Sequence, residues 1–422
     1  MGYGFTRDDV AYLSSAAGAA ALTEVDRYAL TTASLLRDLE QVRREFGDRS
    51  AALVDTVRLR RRATAKLSDA GQWLFTDDAM QQATPTAVAR HRATRLAGRT
   101  VHDVTCSIGA ELIELARVCP AVIGSDLDQV RLDIAAHNLR AAAAEPSLDV
   151  IAAEHDSADG GHPGRSRAGR AQLGVGVPNV LLAKADALRP SSTADVVIAD
   201  PARRADGRRT HDPAKLQPPL PDLLEAYAGR DLAVKCAPGL DFDKLDWKGE
   251  VEIASFDGGV REACLWSPGL AEPGVTRRAT VLSSTRAPEI LTDADPDDIP
   301  ERDPGEWIID PDGAIVRAGL VRHYAAKHVL WQLDPRIAYL TGDTVPDGVR
   351  GFRILDRMDF REKPLRAELN RRDCGPLEIL TRGVDIDPDA LRKRLKPTGT
   401  HPHTLVITRI GRTPTVFLCA TP

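Results

Sequence analysis

Four acidic residues next to apolar runs are the most informative chemical feature of the sequence. Asp103 lies two residues into the run that starts at Val101, and Asp126, Asp186 and Asp200 each follow another such run. If these runs are parallel strands, their carboxyl ends meet at one edge of a sheet, where open α/β sheets bind ligands. Carboxylates there accept hydrogen bonds from amines and ribose hydroxyls. The sequence therefore predicts a site for a ligand that carries several N–H and O–H donors.

The stretch Val101–Asp128 predicts the unit that opens such a sheet, namely a strand, a turn of small residues, a helix and a second strand that ends in acid. Ser107, Gly109 and Ala110 have little bulk, so a ligand can approach the backbone and the amides of the next helix. We expect Asp126 to accept hydrogen bonds from a ribose diol. Dinucleotide sites require three glycines, so the single glycine disfavours a nicotinamide or flavin cofactor.

Composition places the chain among globular proteins with two or three domains. It has 422 residues, of which 43% are hydrophobic and 28% are charged. The net charge of −5 gives no general attraction to nucleic acid or membrane, so a polyanionic partner would need local basic patches. The six cysteines are scattered, and the Ala-rich stretch after Asp8 and Asp9 is too short for a signal peptide. We expect a cytoplasmic protein without transmembrane segments.

Residues 1–70 predict an N-terminal helical domain, because apolar residues recur there at helical spacing. A helix over Ala51–Leu67 carries the basic residues Arg58, Arg60, Arg61, Arg62 and Lys66. These side chains could contact phosphates, although a basic run on a helix is more often solvated surface.

Residues 71–285 predict an α/β core in which strands alternate with helices and an antiparallel pair closes the sheet. Residues 145–177 are polar and rich in Gly and Ser, which predicts a flexible insertion. Residues 286–350 form a connecting α+β segment that begins in Pro- and Asp-rich sequence. Residues 351–422 predict a compact β-α-β-α-β-β module.

Several short pieces carry a resemblance to a known family. The turn after Val101 resembles motif I of class I S-adenosylmethionine-dependent methyltransferases, and the segment with Thr84 and Pro85 resembles that of trimethylguanosine-synthase-type RNA methyltransferases. QQATP, DVTCSIGAE, GSDLD, DPARR and KCAPG resemble a bacterial family with a THUMP-like domain. The resemblance implies a seven-stranded Rossmann-like methyltransferase sheet, S-adenosyl-L-methionine as cofactor and, since THUMP domains bind RNA, a tRNA or rRNA substrate.

The resemblance also implies roles for individual residues. The cofactor-binding set is Thr84, Asp103, Thr105, Ser107, Gly109, Asp126, Leu127, Asp186 and Ala187. The catalytic set is Asp200, Pro201 and Arg203, in the position where amino-methylating enzymes have an acidic or amide residue, two prolines and an aromatic. Ala202 and Arg203 depart from that pattern, which puts base stacking in doubt, and Arg203 could instead clamp a phosphate. For Thr84, the alternative role is a helix cap.

Three functions are compatible with these residues. The expected one is methylation of a base in structured RNA by direct in-line transfer, with Asp200 orienting the acceptor. The alternatives are a small-molecule methyltransferase with lid domains and a non-catalytic RNA-binding protein with a vestigial cofactor site. Cys236 is expected to be a small buried thiol, and His401 and His403 to lie in a polar loop without a metal. Basic residues of the C-terminal module permit RNA binding: Arg366, Arg371, Arg372, Arg392, Lys393, Arg394 and Lys396.

Overall fold

Two units make up the computed structural model, Met1–Leu240 and Asp241–Pro422. The structure describes residues 3–144, 179–202, 204–205, 208–209 and 212–421. The flexibility predicted for residues 145–177 and the role predicted for Arg203 lie outside the described residues. The division into four domains stays a prediction.

Four helices begin the first unit, as the sequence predicts: α1 (Arg7–Leu13), α2 (Ala16–Val25), α3 (Leu35–Phe46) and α4 (Ser50–Ala63). Each of the first two starts at a hydroxyl side chain that accepts a hydrogen bond from a free amide of the first turn, Thr6 for α1 and Ser15 for α2. Gly47 ends α3 with a φ of +54°. The apolar sides of these helices are buried, which stabilises them as a small helical layer.

The basic residues of α4 and its C-terminal continuation make contacts within the chain. Arg60 donates to the carbonyl oxygens of Trp73, at 2.8 Å, and Gln72, at 2.7 Å. Arg62 pairs with Asp77 at 2.8 Å, and Lys66 donates to the carbonyl of Gln81 at 2.9 Å. These cations therefore satisfy backbone and carboxylate acceptors of the segment that leads into the core, which is a structural role.

Two helices follow, α5 (Asp77–Gln82) and α6 (Thr86–Arg95). The alternative role of Thr84 as a helix cap is wrong. Pro85 holds the N-cap position of α6 without a side-chain cap, and Thr84 precedes it. The hydroxyl of Thr84 is buried and has no hydrogen-bond partner among the described residues.

Five parallel strands form the sheet of the first unit: β1 (Thr100–Asp103), β2 (Ala121–Asp126), β3 (Val180–Lys184), β4 (Val196–Ala199) and β7 (Asp231–Cys236). Between β4 and β7 a separate short hairpin is formed by β5 (Arg204–Ala205) and β6 (Arg208–Arg209). Their order is β7-β4-β1-β2-β3. The helices between them are α7 (Ala110–Val118), α8 (Gln129–Ala144) and α9 (Leu220–Ala226). The chain moves outward in both directions from β1, so the topological switch point lies between β1 and β4.

One buried amide ties the loop after β1 to the rest of the unit. Asn138 of α8 is fully buried, and its Nδ2 donates to the carbonyls of Leu74 and Ile108, both at 3.0 Å. Its Oδ1 accepts from the amide of Leu74 at 2.7 Å. Three hydrogen bonds of one side chain thus fix the segment before α5 and the turn after β1 against the same helix.

The second unit begins with four further strands: β8 (Glu250–Phe256), β9 (Gly259–Trp266), β10 (Arg277–Leu282) and β11 (Glu289–Thr292), in the order β11-β10-β8-β9. Among the described residues the first unit thus has a sheet of five strands and the second begins with four, where the sequence predicted seven in all. The added strands are β10 and β11. β10 starts with two arginines, which mask its pattern, but Arg278 is buried and pairs with Glu250 at 2.7 Å.

The C-terminal module has the predicted β-α-β-α-β-β order: β15 (Gly351–Asp359), α12 (Glu362–Arg371), β16 (Cys374–Arg382), α13 (Pro388–Leu395), β17 (His401–Ile410) and β18 (Thr413–Ala420). Before it come β12 (Trp307–Ile309), α10 (Gly313–Ala318), α11 (Val321–Lys327), β13 (Trp331–Gln332) and β14 (Leu340–Gly342). Seven strands form one sheet in the order β13-β14-β12-β15-β18-β17-β16, so three strands of the connecting segment extend the sheet of the module. Leucines of α12 and α13 cover one of its faces.

Two features are absent from the described residues, a membrane-spanning helix and a cluster of metal ligands. No helix in that part of the chain is both long and apolar enough to cross a membrane. The same residues contain no group of His, Cys, Asp and Glu side chains that could hold a metal ion.

Candidate active site

A cavity of about 640 Å³ lies at the carboxyl ends of the parallel strands, around the switch point between β1 and β4. Its volume falls within the range of about 300–1,000 Å³ that is usual for small-molecule sites. Nine of the predicted site residues line it: Thr84, Asp103, Thr105, Ser107, Asp126, Leu127, Asp186, Ala187 and Asp200. Gly109 and Pro201 are neighbours of lining residues in the chain. The fold therefore brings together residues that are more than a hundred positions apart.

The turn after β1 has two residues in the left-handed region, Ser107 with φ +49° and Gly109 with φ +81°. A Cβ atom at Gly109 would lie 3.1 Å from the Cβ of Ala135, so glycine is needed there for close packing as well as for conformation. Ser107 adopts a conformation that favours glycine, which the sequence did not indicate. Its amide donates to Asp126 Oδ2 at 3.1 Å, a bond that joins the ends of β1 and β2.

Asp126 is the last residue of β2 and Leu127 follows it, and both line the cavity. Asp126 Oδ1 also accepts from the amide of Asp128 at 2.8 Å, so backbone amides hold both carboxylate oxygens in place. Asp128 caps α8 as predicted, because its carboxylate accepts from the amide of Val130 at 2.8 Å. The side chain of Leu127 is 64% exposed although it is apolar. An exposed leucine in a cavity wall is suited to cover an apolar or aromatic ligand face.

Asp103 is the most strongly desolvated acid of the site. The pKa of Asp103 is raised from its ordinary value of 3.8 to about 7, chiefly by burial and to a smaller extent by the nearby Glu111 and Asp200. The amide of Thr105 donates a hydrogen bond to Asp103 Oδ1 at 3.0 Å. This hydrogen bond and the positive charge of Lys235 act to lower the pKa of Asp103, but they do not offset the effect of burial. A cationic group of a ligand would favour the ionised form of this carboxyl.

Asp186 and Ala187 stand after β3 on the other side of β2. Asp186 Oδ1 accepts from the amide of Leu188 at 2.9 Å, which fixes its rotamer, and Arg189 lies 3.8 Å from its second oxygen. Ala187 is buried. This wall of the cavity thus combines one accessible carboxylate with a small apolar side chain.

Asp200 is held by two residues from neighbouring strands. Its amide donates to Thr105 Oγ1 at 2.6 Å, and its Oδ2 accepts a short hydrogen bond from the ammonium of Lys235 at the end of β7. Lys235 is 6% exposed and lines the cavity. Sequence reasoning did not assign Lys235 to the site, although a lysine inside the apolar strand DLAVKC was a usable signal.

Thr84 contributes a polar atom without a partner to the wall. Its side chain is 6% exposed, and its Oγ1 has no hydrogen bond among the described residues. Burying a hydroxyl without a partner costs free energy, so an atom of this kind in a cavity wall indicates that a ligand supplies the partner.

The expected polar loop at His401 and His403 is wrong, because both residues lie in β17. Two residues of the first unit have no place in the cavity. Cys236 is 2% exposed and does not line it, in agreement with the expected buried thiol. His102 of β1 lies between the hydroxyls of Ser192 and Ser125, each at 2.9 Å. Burial lowers the pKa of His102 to about 4, so this histidine is a neutral core residue.

The strand order, the one-glycine turn and the acid after β2 define a class I methyltransferase fold. The chain is 50% identical over 379 residues to an uncharacterized S-adenosylmethionine-dependent methyltransferase of Mycobacterium tuberculosis CDC 1551, over 88% of this chain and 96% of that protein. The counterpart from M. tuberculosis H37Rv matches equally. The chain therefore belongs to this family of S-adenosylmethionine-dependent methyltransferases, and S-adenosyl-L-methionine is its cofactor.

Further comparisons agree with the fold. A family model described as THUMP domain-like matches residues 349–421, and one for a domain of unknown function matches residues 6–63. A crystal structure from Porphyromonas gingivalis W83, named as a methyltransferase, aligns with a TM-score of 0.70 at 17% identity over 99% of this chain and 100% of that one. The predicted fold class, with its helical N-terminal domain and THUMP-like module, is confirmed, and only the number of strands differs.

The cavity fits the cofactor by the chemistry of its wall. The wall presents carboxylates of Asp103, Asp126 and Asp186 together with the unpartnered hydroxyl of Thr84. S-adenosyl-L-methionine carries a sulfonium, an ammonium, two ribose hydroxyls and an adenine amine. A wall of acceptors and negative charge thus meets a ligand with complementary donors and positive charge.

We expect the Asp103→Asn variant to gain stability relative to the wild type as the pH rises. Between about pH 4 and pH 7 the folded wild type keeps a proton on Asp103 that the unfolded chain releases. The contribution of this group to the free energy of unfolding is therefore fully present below about pH 4 and is lost as the pH rises to about 7. The loss amounts to at most about 1.4 kcal/mol per pH unit. Asparagine keeps the acceptor for the Thr105 amide and removes this dependence. Urea unfolding at pH 5, 6, 7 and 8 measures the difference.

Asp195→Asn serves as the control for that experiment. Hydrogen bonds from Thr100 lower the pKa of Asp195, so its contribution is fully present above pH 5 and the difference from the wild type should stay constant. A constant difference for Asp103→Asn as well would contradict the expected protonation.

Proposed function

We propose that this enzyme transfers a methyl group directly from S-adenosyl-L-methionine to a base in structured RNA, either tRNA or rRNA. The observation that carries the proposal is the Asp200–Lys235 pair at the cavity, in a chain that also has a THUMP-like module. The pair supplies a fixed acceptor beside the cofactor site. The C-terminal module supports a nucleic-acid substrate, because it matches a family model described as THUMP domain-like and THUMP domains bind RNA.

The cofactor set is assigned by position around the cavity. Asp103 and the turn at Ser107 and Gly109 hold the amino-acid end, and Asp126 accepts hydrogen bonds from the ribose hydroxyls. Asp186 accepts from the adenine amine, Leu127 and Ala187 contact the ring, and Thr84 and Thr105 complete the wall. The cofactor supplies an electrophilic methyl group on its sulfonium.

Asp200 orients the acceptor group of the base. Lys235 and Thr105 fix this residue from two sides, so its carboxylate is preorganised and loses little entropy when the acceptor binds. The Oδ1 atom has no donor among the described residues and is available for an N–H of the substrate. Pro201 shapes the turn after Asp200. Arg203, two residues after Pro201, is assigned to a substrate phosphate.

Replacement of Asp126 by alanine should abolish cofactor binding, because the ribose hydroxyls lose their acceptor and the Ser107 amide loses its partner. Isothermal titration calorimetry with S-adenosyl-L-methionine measures this. The control is Asp128→Ala, which removes the cap of α8 and should lower stability while cofactor binding persists. Absence of binding by the wild type would contradict the assignment of the cavity.

Replacement of Lys235 by methionine should lower the rate of methyl transfer about 100-fold, since Asp200 loses the partner that positions it. The cofactor affinity should remain close to that of the wild type, and Lys235→Arg should restore part of the rate. Single-turnover transfer and calorimetry separate the two effects. The control is Lys215→Met, an exposed lysine paired with Asp212 at 3.4 Å, which should leave the rate unchanged. Equal losses of rate in both variants would refute the positioning role.

The substrate is tested by mass spectrometry of nucleosides from cells that lack the protein. We expect one methylated base to be missing from tRNA or rRNA and to return when that RNA is incubated with the enzyme and cofactor. An unchanged nucleoside profile, with transfer to small amines or phenols instead, would overturn the RNA substrate in favour of a small molecule.

A further inference from the structure

We infer that RNA phosphates dock on the hairpin end of the C-terminal module rather than on its helices. The hairpin end is defined by four arginines, Arg357, Arg361, Arg409 and Arg412. The inference rests on the proposed function, because it names the surface that holds the RNA.

The distribution of charge along the chain points to this module. Residues 349–421 contain fifteen Lys and Arg against nine Asp and Glu, an excess of positive charge in a protein whose net charge is −5. The remainder of the chain is therefore clearly acidic. This module therefore attracts a polyanion, and the local excess of positive charge steers its approach.

The helices of the module use most of their basic residues internally. On α12 and directly after it, Arg371 pairs with Glu368 at 2.8 Å and Arg372 with Asp356 at 3.0 Å. The arginines of α13 are engaged in the same way. Arg392 pairs with Asp389 at 2.5 Å and Arg394 with Glu362 at 3.0 Å. Four of the seven residues predicted to permit RNA binding are thus neutralised by carboxylates of the same module.

The strand register gathers other arginines at one end of the sheet. Arg409 of β17 stands opposite Pro414 of β18, and the amide of Phe360, just after β15, donates to the carbonyl of Pro414. Arg361 follows Phe360, and Arg412 lies in the turn between β17 and β18. The last residues of β15 and β17 and the first of β18 therefore lie side by side, about 5 Å apart from strand to strand.

These arginines are exposed and available. All four are exposed, and within the part of the chain that the structure describes none of their guanidinium groups pairs with a carboxylate. Arg357 lies over the ring of Phe417, with 5.7 Å between its guanidinium carbon and the ring centroid. Two acidic residues lie near them: the exposed Asp359 on β15, and the buried Asp334, which accepts a hydrogen bond from the amide of Gly411 in the turn at 2.7 Å.

Two further arginines border the same end. Arg336 donates to the carbonyl of Gly411 in the hairpin turn at 2.6 Å, and Arg382 at the end of β16 lies over the ring of Tyr339, with 4.7 Å between guanidinium carbon and centroid. Guanidinium groups bind phosphate oxygens in a planar, two-point geometry. Arg336 also pairs with Asp334 at 3.5 Å and Arg382 with Asp310 at 3.1 Å, so the arginines without a carboxylate partner among the described residues are the four of the hairpin end. These four are thus suited to bind the backbone of a folded RNA, without selection for sequence.

The test compares two double variants of the full-length protein with bulk tRNA as the probe. Arg409→Gln/Arg412→Gln removes two charges from the hairpin end, and Lys393→Gln/Lys396→Gln removes two exposed charges from α13 and the residue after it. We expect the first to weaken binding about tenfold and to reduce the slope of log K against log salt by about two, one for each phosphate contact. The second should change both quantities much less. Cofactor binding by calorimetry should stay unchanged in both.

Three results would overturn the inference, and they are distinguishable. If the wild type binds and methylates RNA but both variants bind alike, the hairpin end is not the contact surface and the proposed function stands. If only the lysine variant is impaired, the helical face binds the RNA. If the wild type neither binds nor methylates RNA, the proposed substrate fails together with the docking surface.

Discussion

The hydrogen bond from the Ser107 amide to Asp126 is the interaction on which the site depends, because it joins the turn after β1 to the end of β2. That turn needs two left-handed residues and close packing on α8, so it holds its shape only where neighbours support it. Asn138 provides that support from beneath, through the carbonyl of Ile108. The cofactor site is therefore assembled from backbone atoms as much as from side chains.

Electrostatics divides the acids of the cavity into two kinds. Asp103 is desolvated, with a pKa of about 7, so in the absence of a cation its ionisation destabilises the folded state. Asp200 instead has the ammonium of Lys235 beside it. The first arrangement suits a residue that waits for a charged cofactor, whereas the second suits a residue that must keep one geometry during the reaction.

Positive charge is likewise divided between structural and available groups. Arg60 and Lys66 satisfy carbonyls of the segment that leads into the core, and the arginines of α12 and α13 pair with nearby carboxylates. The arginines at the hairpin end have no such partners among the described residues. Counting basic residues in the sequence therefore overestimates the surface that a polyanion can reach, and overestimates it most on helices, where acids recur at the spacing that favours pairing.

The sequence by itself determined the features that depend on contiguous residues. The strand, turn and acid of Val101–Asp128, the cap at Asp128 and the order of the C-terminal module follow from local spacing, which survives without knowledge of the fold. Only the tertiary structure decided the features that join distant residues. Lys235 of β7 donates a hydrogen bond to Asp200, which follows the neighbouring strand β4. The Thr84 hydroxyl is buried without a hydrogen-bond partner among the described residues, and Arg278 can lie inside the sheet as part of β10 because it pairs with Glu250. Whether a charge is paired, desolvated or free depends on its neighbours in space, and packing alone fixes those neighbours.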